Sequence, residues 1–310
     1  MRRFHPTPRA EALPHKVLMA LDGRRFRPST GAGVQLRIAS ALGMDADARE
    51  ALERLSVLGK TRKTGVAGRF MPDAGVSARL AAEGIAENVE PADYFRFRTI
   101  ATPYTGISTL ERREWEEVGQ TLEDLTSPQI LRARESLGVV KLDGGLCVVI
   151  GRHEDPESLA ISGGSPGTRI VEDTTDTARL QFSPTFGVVC QPTLSPRKVS
   201  WLVQQLRLRW KDARIRFLDT VSPAMSARED ALERLMSDCD RVVIVGETGE
   251  SSCSALSEAA LRHGKPSLIV ASADDLEPQD FRSRLRTVLT AGAFATDEKI
   301  RGVAAALALG

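Results

Sequence analysis

The sequence predicts an α/β protein built mainly on parallel sheets, and two patterns and the length carry that expectation. Short β-branched runs recur along the chain, and amphipathic helical segments alternate with them, as in βαβ units. At 310 residues the chain has room for two or three compact units of ordinary size.

The strand-like runs are residues 16–21 (KVLMAL), 146–151 (LCVVIG), 186–190 (FGVVC), 214–219 (RIRFLD), 241–246 (RVVIVG), 266–270 (PSLIV) and 286–292 (RTVLTAG). Helical patterns fill gaps between them at 199–210 (VSWLVQQLRLRW) and 228–239 (REDALERLMSDC). Up to about residue 125 the rhythm is looser. Basic, Gly-containing connections are expected at Leu21 to Gly33 and at Gly59 to Gly65, and neither completes a Walker A loop. No repeat of 20 to 50 residues is visible.

Composition narrows the function classes. Lys+Arg number 42 against 41 Asp+Glu, so no global field favours nucleic acid or a membrane surface. The apolar runs are too short to span a bilayer. Residues 1–15 read as a flexible basic tail without the apolar segment of a secretory signal. Four widely spaced cysteines, Cys147, Cys190, Cys239 and Cys253, suit a reduced, cytoplasmic protein. The expected partner is a small-molecule ligand, with no nucleic acid and no membrane.

Ligands of parallel α/β sheets collect at the carboxyl ends of strands. The loop from Gly246 to Ser254 has that address. Gly246 and Gly249 permit close backbone approach, and Ser251, Ser252 and Ser254 offer hydroxyls, so both an anion cradle and plain helix capping fit. Glu247 and Glu250 would repel an anion. Thr296 or Asp297 reads as a helix cap, and His263 as the last turn of a helix stopped by Gly264. Asp155 and Glu157 place two carboxylates on one loop. The four histidines show neither a nucleophile signature nor metal-ligand spacing.

Together these segments resemble the LytB/IspH family, 4-hydroxy-3-methylbut-2-enyl diphosphate reductases. The resemblance is carried by Cys239 to Gly246, Ser251-Ser252, Leu256-Ser-Glu-Ala259, Gly264-Lys265 and Thr290-Ala-Gly-Ala293, and upstream by Cys190-Gln-Pro-Thr-Leu-Ser195, Asp155-Pro-Glu157 and Asp124-Leu-Thr-Ser-Pro128. It implies three α/β domains in a pseudo-threefold trefoil around a central pocket, divided at about 16–123, 124–216 and 217–310. It also implies a [4Fe-4S] cluster held by one cysteine from each domain.

At those ligand positions this sequence reads Gly31, Ser127 and Ser222. Serine and glycine cannot replace thiolates, so no cofactor and no metal are expected. The family's diphosphate-contacting histidines fall near Pro72, Thr105 and Asp155, its pocket Thr on Pro192, and the last Ser of its Thr-Ala-Gly-Ala-Ser loop on Phe294. Arg24, Arg25 or Arg27 could offset the added carboxylates. The catalytic glutamate matches Glu157 and its neighbour Gln191.

The expected function is therefore a cluster-free enzyme working by non-redox elimination, hydration or group transfer on a small polar, or phosphorylated, metabolite. Glu157 would act as general acid/base, Asp155 as a second carboxylate raising its pKa, and Cys190 or Cys253 as nucleophile. Gln191, Ser127, Ser222, Ser251, Ser252 and Thr105 would bind the ligand. A non-catalytic binding protein on the same scaffold is the alternative, and a reductase with relocated cluster ligands the third.

Overall fold

The computed structural model describes residues 34–163, 167–281 and 285–309. The run at 16–21, Gly31 and the arginines at 24, 25 and 27 lie outside them. Along the chain, β1 (Gln35–Ile38) precedes α1 (Ala46–Thr61), β2 (Thr64–Val66), α2 (Ala74–Ala82), β3 (Thr99–Ala101), α3 (Thr109–Glu117) and β4 (Leu122–Glu123). Next come α4 (Pro128–Lys141), β5 (Leu146–Ile150), α5 (Pro156–Ser162), β6 (Thr168–Val171), α6 (Thr174–Arg179), β7 (Thr185–Cys190), α7 (Pro196–Arg209) and β8 (Arg214–Phe217). The last elements are α8 (Pro223–Glu233), β9 (Arg241–Val245), α9 (Ser251–Arg262), β10 (Ser267–Val270), β11 (Arg286–Ala291) and α10 (Asp297–Leu309).

Two compact units are present: residues 46–222 form one, and the segment through Asp45 joins residues from Pro223 onward in the other. The unit of residues 46–222 holds two parallel sheets, ordered β2-β3-β4 and β6-β5-β7-β8. The second sheet is covered by α4 and α5 through Ile130, Leu137, Val149, Ala160, Ile161 and Val189. Residues 147–150 of β5 are all buried, so both faces of the strand are covered, and Leu146 to Ile150 reads as a continuous apolar run instead of an alternation.

Three helices of this unit begin at the carboxyl end of a strand with a capping side chain followed by proline. Ser127 caps α4 before Pro128, Asp155 caps α5 before Pro156, and Ser195 caps α7 before Pro196. Each cap oxygen satisfies an orphan backbone N–H, and proline at the first helical position has no N–H to leave unpaired. The chain is thus turned sharply at the strand ends, where polar side chains gather.

The other unit is a four-stranded parallel sheet, β1-β11-β9-β10. Its core joins Ile38, Val243, Val245, Leu268, Leu289, Val303 and Leu307. Arg241, buried at the start of β9, donates to Thr287 Oγ1 at 2.9 Å and to Asp280 Oδ1 at 3.1 Å. One strand pairing crosses the contiguous division expected from chain order. β1 pairs in register with β11, Gln35 opposite Arg286, because it covers an edge of β11 that would otherwise leave backbone groups unpaired.

The Gly59 to Gly65 connection is also corrected. Residues 59–61 finish α1 and residues 64 and 65 lie in β2.

Candidate active site

In the unit of residues 46–222, β5 ends at Ile150, and the turn after it delivers the α5 N-terminus. Asp155 Oδ1 accepts the Glu157 N–H at 2.9 Å, so this carboxylate is the helix cap. The two carboxylates do not share a loop: Glu157 sits in the first turn of α5, buried, with only 4% of its surface exposed. Asp155 therefore serves α5 as its cap through the backbone.

Glu157 is engaged by a chain of hydrogen bonds that starts at the backbone. The Arg152 N–H donates to Gln191 Oε1 at 3.1 Å, and Ser158 Oγ donates to the same oxygen at 3.0 Å. A backbone N–H can only donate, which fixes the Gln191 amide with its nitrogen on the other side. Gln191 Nε2 then donates to Thr193 Oγ1 at 2.9 Å, and Thr193 Oγ1 donates to Glu157 Oε2 at 2.5 Å. Gln191 is fully buried and Thr193 nearly so.

The short final bond is of charge-assisted length. Gly151 makes the arrangement possible: a Cβ there would lie 2.2 Å from Ser158 Oγ.

Cys190, expected as a possible nucleophile, closes β7. Its thiol is fully buried, and burial pushes its pKa up to about 12 despite hydrogen bonds from Thr220. Thr220 N donates to the sulfur at 3.4 Å, and the thiol points to Asp219 Oδ1 at 3.7 Å. A thiol held protonated and beside a carboxylate is a packing group, since the thiolate is the reactive form.

Ser222 and Ser127 lie on neighbouring strand-end loops of the same unit. The Ser222 N–H donates to Pro192 O at 2.9 Å, tying the loop after β8 to the one carrying Gln191 and Thr193. The Ser127 N–H donates to Tyr104 O at 2.8 Å, and Ser127 Oγ accepts from Gln129 N at 3.3 Å as the α4 cap. Thr105 is buried in the loop after β3. That loop touches α5, because a Cβ on Gly106 would lie 3.1 Å from Ala160 Cβ.

The loop of Ser251 and Ser252 lies in the other unit, at the carboxyl end of β9. Capping wins there, but the cap is Glu250, whose Oε1 accepts the Ser252 N–H at 2.8 Å. Burial raises the Glu250 pKa, and the Cys253 thiol donates to its Oε2 at 2.9 Å. Ser252 Oγ accepts the Ala293 N–H at 2.7 Å.

The other carboxylate, Glu247, is paired with Lys299 at 3.3 Å. The anion repulsion expected from these two glutamates is thereby removed: one is buried as a cap and the other is ion-paired. Cys253 is fully buried, and burial and the adjacent Glu250 raise its pKa well above the ordinary value, which disfavours the thiolate. Phe294 is buried in the same unit and Pro72 half-buried in the other.

Sequence reasoning missed Thr193 and Ser158. Thr193 stood inside the quoted Cys190 to Ser195 segment, but the resemblance directed attention to its neighbour Pro192.

Parallel sheets with a buried carboxyl group bonded through hydroxyl and amide side chains at the strand ends define an α/β protein with a buried polar network at its strand ends. Comparison with known proteins makes the assignment specific: a family model described as LytB protein matches residues 39–308. The chain belongs to the LytB family.

Among its relatives is the 4-hydroxy-3-methylbut-2-enyl diphosphate reductase of Pseudomonas putida strain W619, 32% identical over 205 residues. That match spans 64% of this chain and 65% of the relative's length. The protein of the same name from Methylibium petroleiphilum is 32% identical over 227 residues, 72% of this chain and 69% of the relative.

Two solved structures share the fold. The E-1-hydroxy-2-methyl-but-2-enyl-4-diphosphate reductase from Plasmodium falciparum has a TM-score of 0.79 at 19% identity, covering 87% of this chain and 86% of that one. A second, an (E)-4-hydroxy-3-methyl-but-2-enyl diphosphate reductase, has a TM-score of 0.60 at 19% identity, over 88% of this chain and 99% of that one.

These names correct the expectation that no cofactor is involved. The relatives are reductases by name, and reduction requires a source of electrons, so a redox group belongs with the family. The donor set at the expected positions still does not fit a three-thiolate cluster. Ser127 and Ser222 carry hydroxyls, and the Ser127 oxygen is committed to its own helix. Among the described residues no helix is long and apolar enough to cross a membrane.

Proposed function

We propose that this chain is an enzyme whose protein-borne chemistry is proton transfer by Glu157 to the hydroxyl of a small polar, phosphorylated metabolite. The observation that carries the reading is the directed chain from Arg152 N through Gln191 and Thr193 to Glu157. Protonated Glu157 would give its proton to the departing hydroxyl. The carbon–oxygen bond would break with its electron pair on oxygen, and water would leave. The carboxylate so formed would accept a proton from the neighbouring carbon or, in an allylic alcohol whose neighbouring carbon bears no hydrogen, from the carbon beyond the double bond as that double bond shifts, which restores the acid. Donation by Thr193 stabilises the carboxylate between the two transfers.

A second reading is favoured by the relatives' printed names. Reductive removal of the hydroxyl from 4-hydroxy-3-methylbut-2-enyl diphosphate would ask the same first proton transfer of Glu157, with electrons supplied by a bound redox group. No step through that group is derived, because Ser127 and Ser222 do not supply its ligands.

The test is to purify the protein without oxygen, assay iron and sulfide, and incubate it with that diphosphate with and without a chemical reductant. Product formed without reductant, and lost in Glu157→Gln, supports the elimination. Product formed only with reductant and stoichiometric iron and sulfide supports the reductase. Product unaffected by Glu157→Gln would remove Glu157 from both readings.

A further inference from the structure

In the unit of residues 46–222, α7 turns Val199, Leu202, Val203 and Leu206 inward. Its outward side carries Trp201, 47% exposed, and Leu208, 62% exposed. Seven residues are about two helical turns, so the two side chains stand in one stripe, about 10 Å apart. Arg197, Lys198, Arg207 and Arg209 make the helix basic, and it contains no carboxylate. Arg209 is used locally, donating to Ala178 O at 2.8 Å and lying over the Trp210 ring. Arg207, beside Leu208, is exposed and forms no ion pair among the described residues. Single exposed apolar residues are ordinary, but a Trp and an Arg around a second apolar side chain have the composition of a contact surface.

A groove of about 370 Å³ on the same unit has the complementary make-up. It is lined by Val57 and Leu58 with Glu50, Glu53 and Arg54, all from α1, and by Glu123 of β4. Glu123 is paired with Arg54 at 3.0 Å, and Glu53 with Arg79 at 2.8 Å. The charge left over in the lining is therefore that of Glu50, which is exposed and forms no ion pair among the described residues. Val57 is 56% exposed and lies two turns along the same helix, about 10 Å from Glu50. The groove thus offers an apolar floor with one available carboxylate.

We propose that the α7 face of one copy of this chain docks, head to tail, in the α1 groove of a second copy. Leu208 would rest on Val57 and Leu58, and Arg207 would reach Glu50, their two long side chains spanning the distance between the apolar floor and the carboxylate. Charge complementarity selects this pairing: two α7 faces brought together would oppose like charges, and so would two α1 grooves. Because the two surfaces differ, every docked pair leaves one α7 face and one groove open, and the assembly grows in one direction. One apolar contact with one charge pair makes a weak interface, so growth belongs to high protein concentration. Neither surface includes Glu157, and the contact is independent of the reading given to that residue.

The test is analytical ultracentrifugation of the full chain over a concentration series at low and high salt. The average mass is expected to rise with concentration, and less so in high salt, which screens the charge pair. Leu208→Asp and Val57→Asp, both at exposed positions and with folding checked by circular dichroism, should each weaken association by about tenfold or more. Arg207→Glu should do the same without touching the apolar contact. An equimolar mixture of Leu208→Asp and Val57→Asp should associate again and stop at a dimer. The intact groove of the first takes the intact α7 face of the second, while the two altered surfaces oppose Asp to Asp. A mass independent of concentration, association unchanged in the single variants, or a mixture that stays monomeric would overturn the contact. A protein that stays monomeric yet binds a single-stranded oligonucleotide, with binding lost in Arg207→Glu, would assign the α7 face to nucleic acid instead and overturn it too.

Discussion

Two buried glutamates occupy related addresses in the two units, each in or beside the first turn of a helix that follows a parallel strand. Glu250 is itself the cap of α9, and its oxygens are bound by the Ser252 N–H and the Cys253 thiol. Glu157 sits two residues after the α5 cap, so Asp155 takes the backbone duty and leaves the Glu157 carboxyl to Thr193. A displacement of two residues separates a carboxyl group that closes a helix from one bonded to a side-chain hydroxyl.

Replacing each glutamate by glutamine breaks that comparison most directly. Glu157→Gln keeps shape and burial but removes the acid, and turnover is expected to fall by about 10²–10⁴-fold. Steady-state or single-turnover rates would show it. Glu250→Gln keeps the cap oxygen and should leave turnover within a small factor; a comparable loss there would erase the distinction.

The glycines beside Glu250 give the next largest effect. A Cβ on Gly292 would lie 2.2 Å from Glu250 Oε2 and 2.4 Å from Cys253 Sγ. Gly292→Ala is therefore expected to destabilise its unit by about 1–3 kcal/mol, read as an earlier urea midpoint. Gly246 meets Cys253 Sγ at the same 2.4 Å, with φ at 149°, so Gly246→Ala adds backbone strain to overpacking.

Removal of the hydroxyl in Thr193→Val is expected to lower turnover by about ten- to a hundredfold, the worth of one hydrogen bond to a charged group. Thr193→Ser should restore most of it. Equal losses in both variants would mark Thr193 as packing alone.

The same contrast shows what was legible in the sequence. The strands at 146–150, 185–190, 241–245 and 286–291 were visible because burial on both faces demands unbroken β-branched runs. β2, β3 and β4 are two or three residues long, too short for any periodicity to emerge. Glu157 was found through its resemblance and its Asp-Pro setting. Glu250 was misread as facing a ligand because Ser251 and Ser252, the better intrinsic caps, stand next to it; only the backbone path decides which residue closes the helix. Thr193 was hidden because a side chain's partner across 36 residues leaves no local pattern.

Stability against pH sharpens the comparison further. Burial raises the Glu250 pKa above the ordinary 4.5 despite the opposing hydrogen bonds. The folded state then holds the proton more tightly than the unfolded chain, so this contribution is complete below about pH 4.5. It is lost as pH rises from there through the raised value. Glu250→Gln should flatten that decline in urea midpoints measured across pH; an unchanged slope would mean the group is ionised in the folded protein.

The smallest expected effect concerns Asp155, where charge and capping can be separated. Asp155→Ala removes the acceptor of the Glu157 N–H and should cost about 1 kcal/mol of stability, with turnover falling as the α5 start loosens. Asp155→Asn keeps a capping oxygen and removes only the charge. With Asp155 acting through the backbone, Asp155→Asn should retain both stability and the pH–rate profile. A shifted acidic limb in Asp155→Asn would instead restore Asp155 as the carboxylate that tunes Glu157.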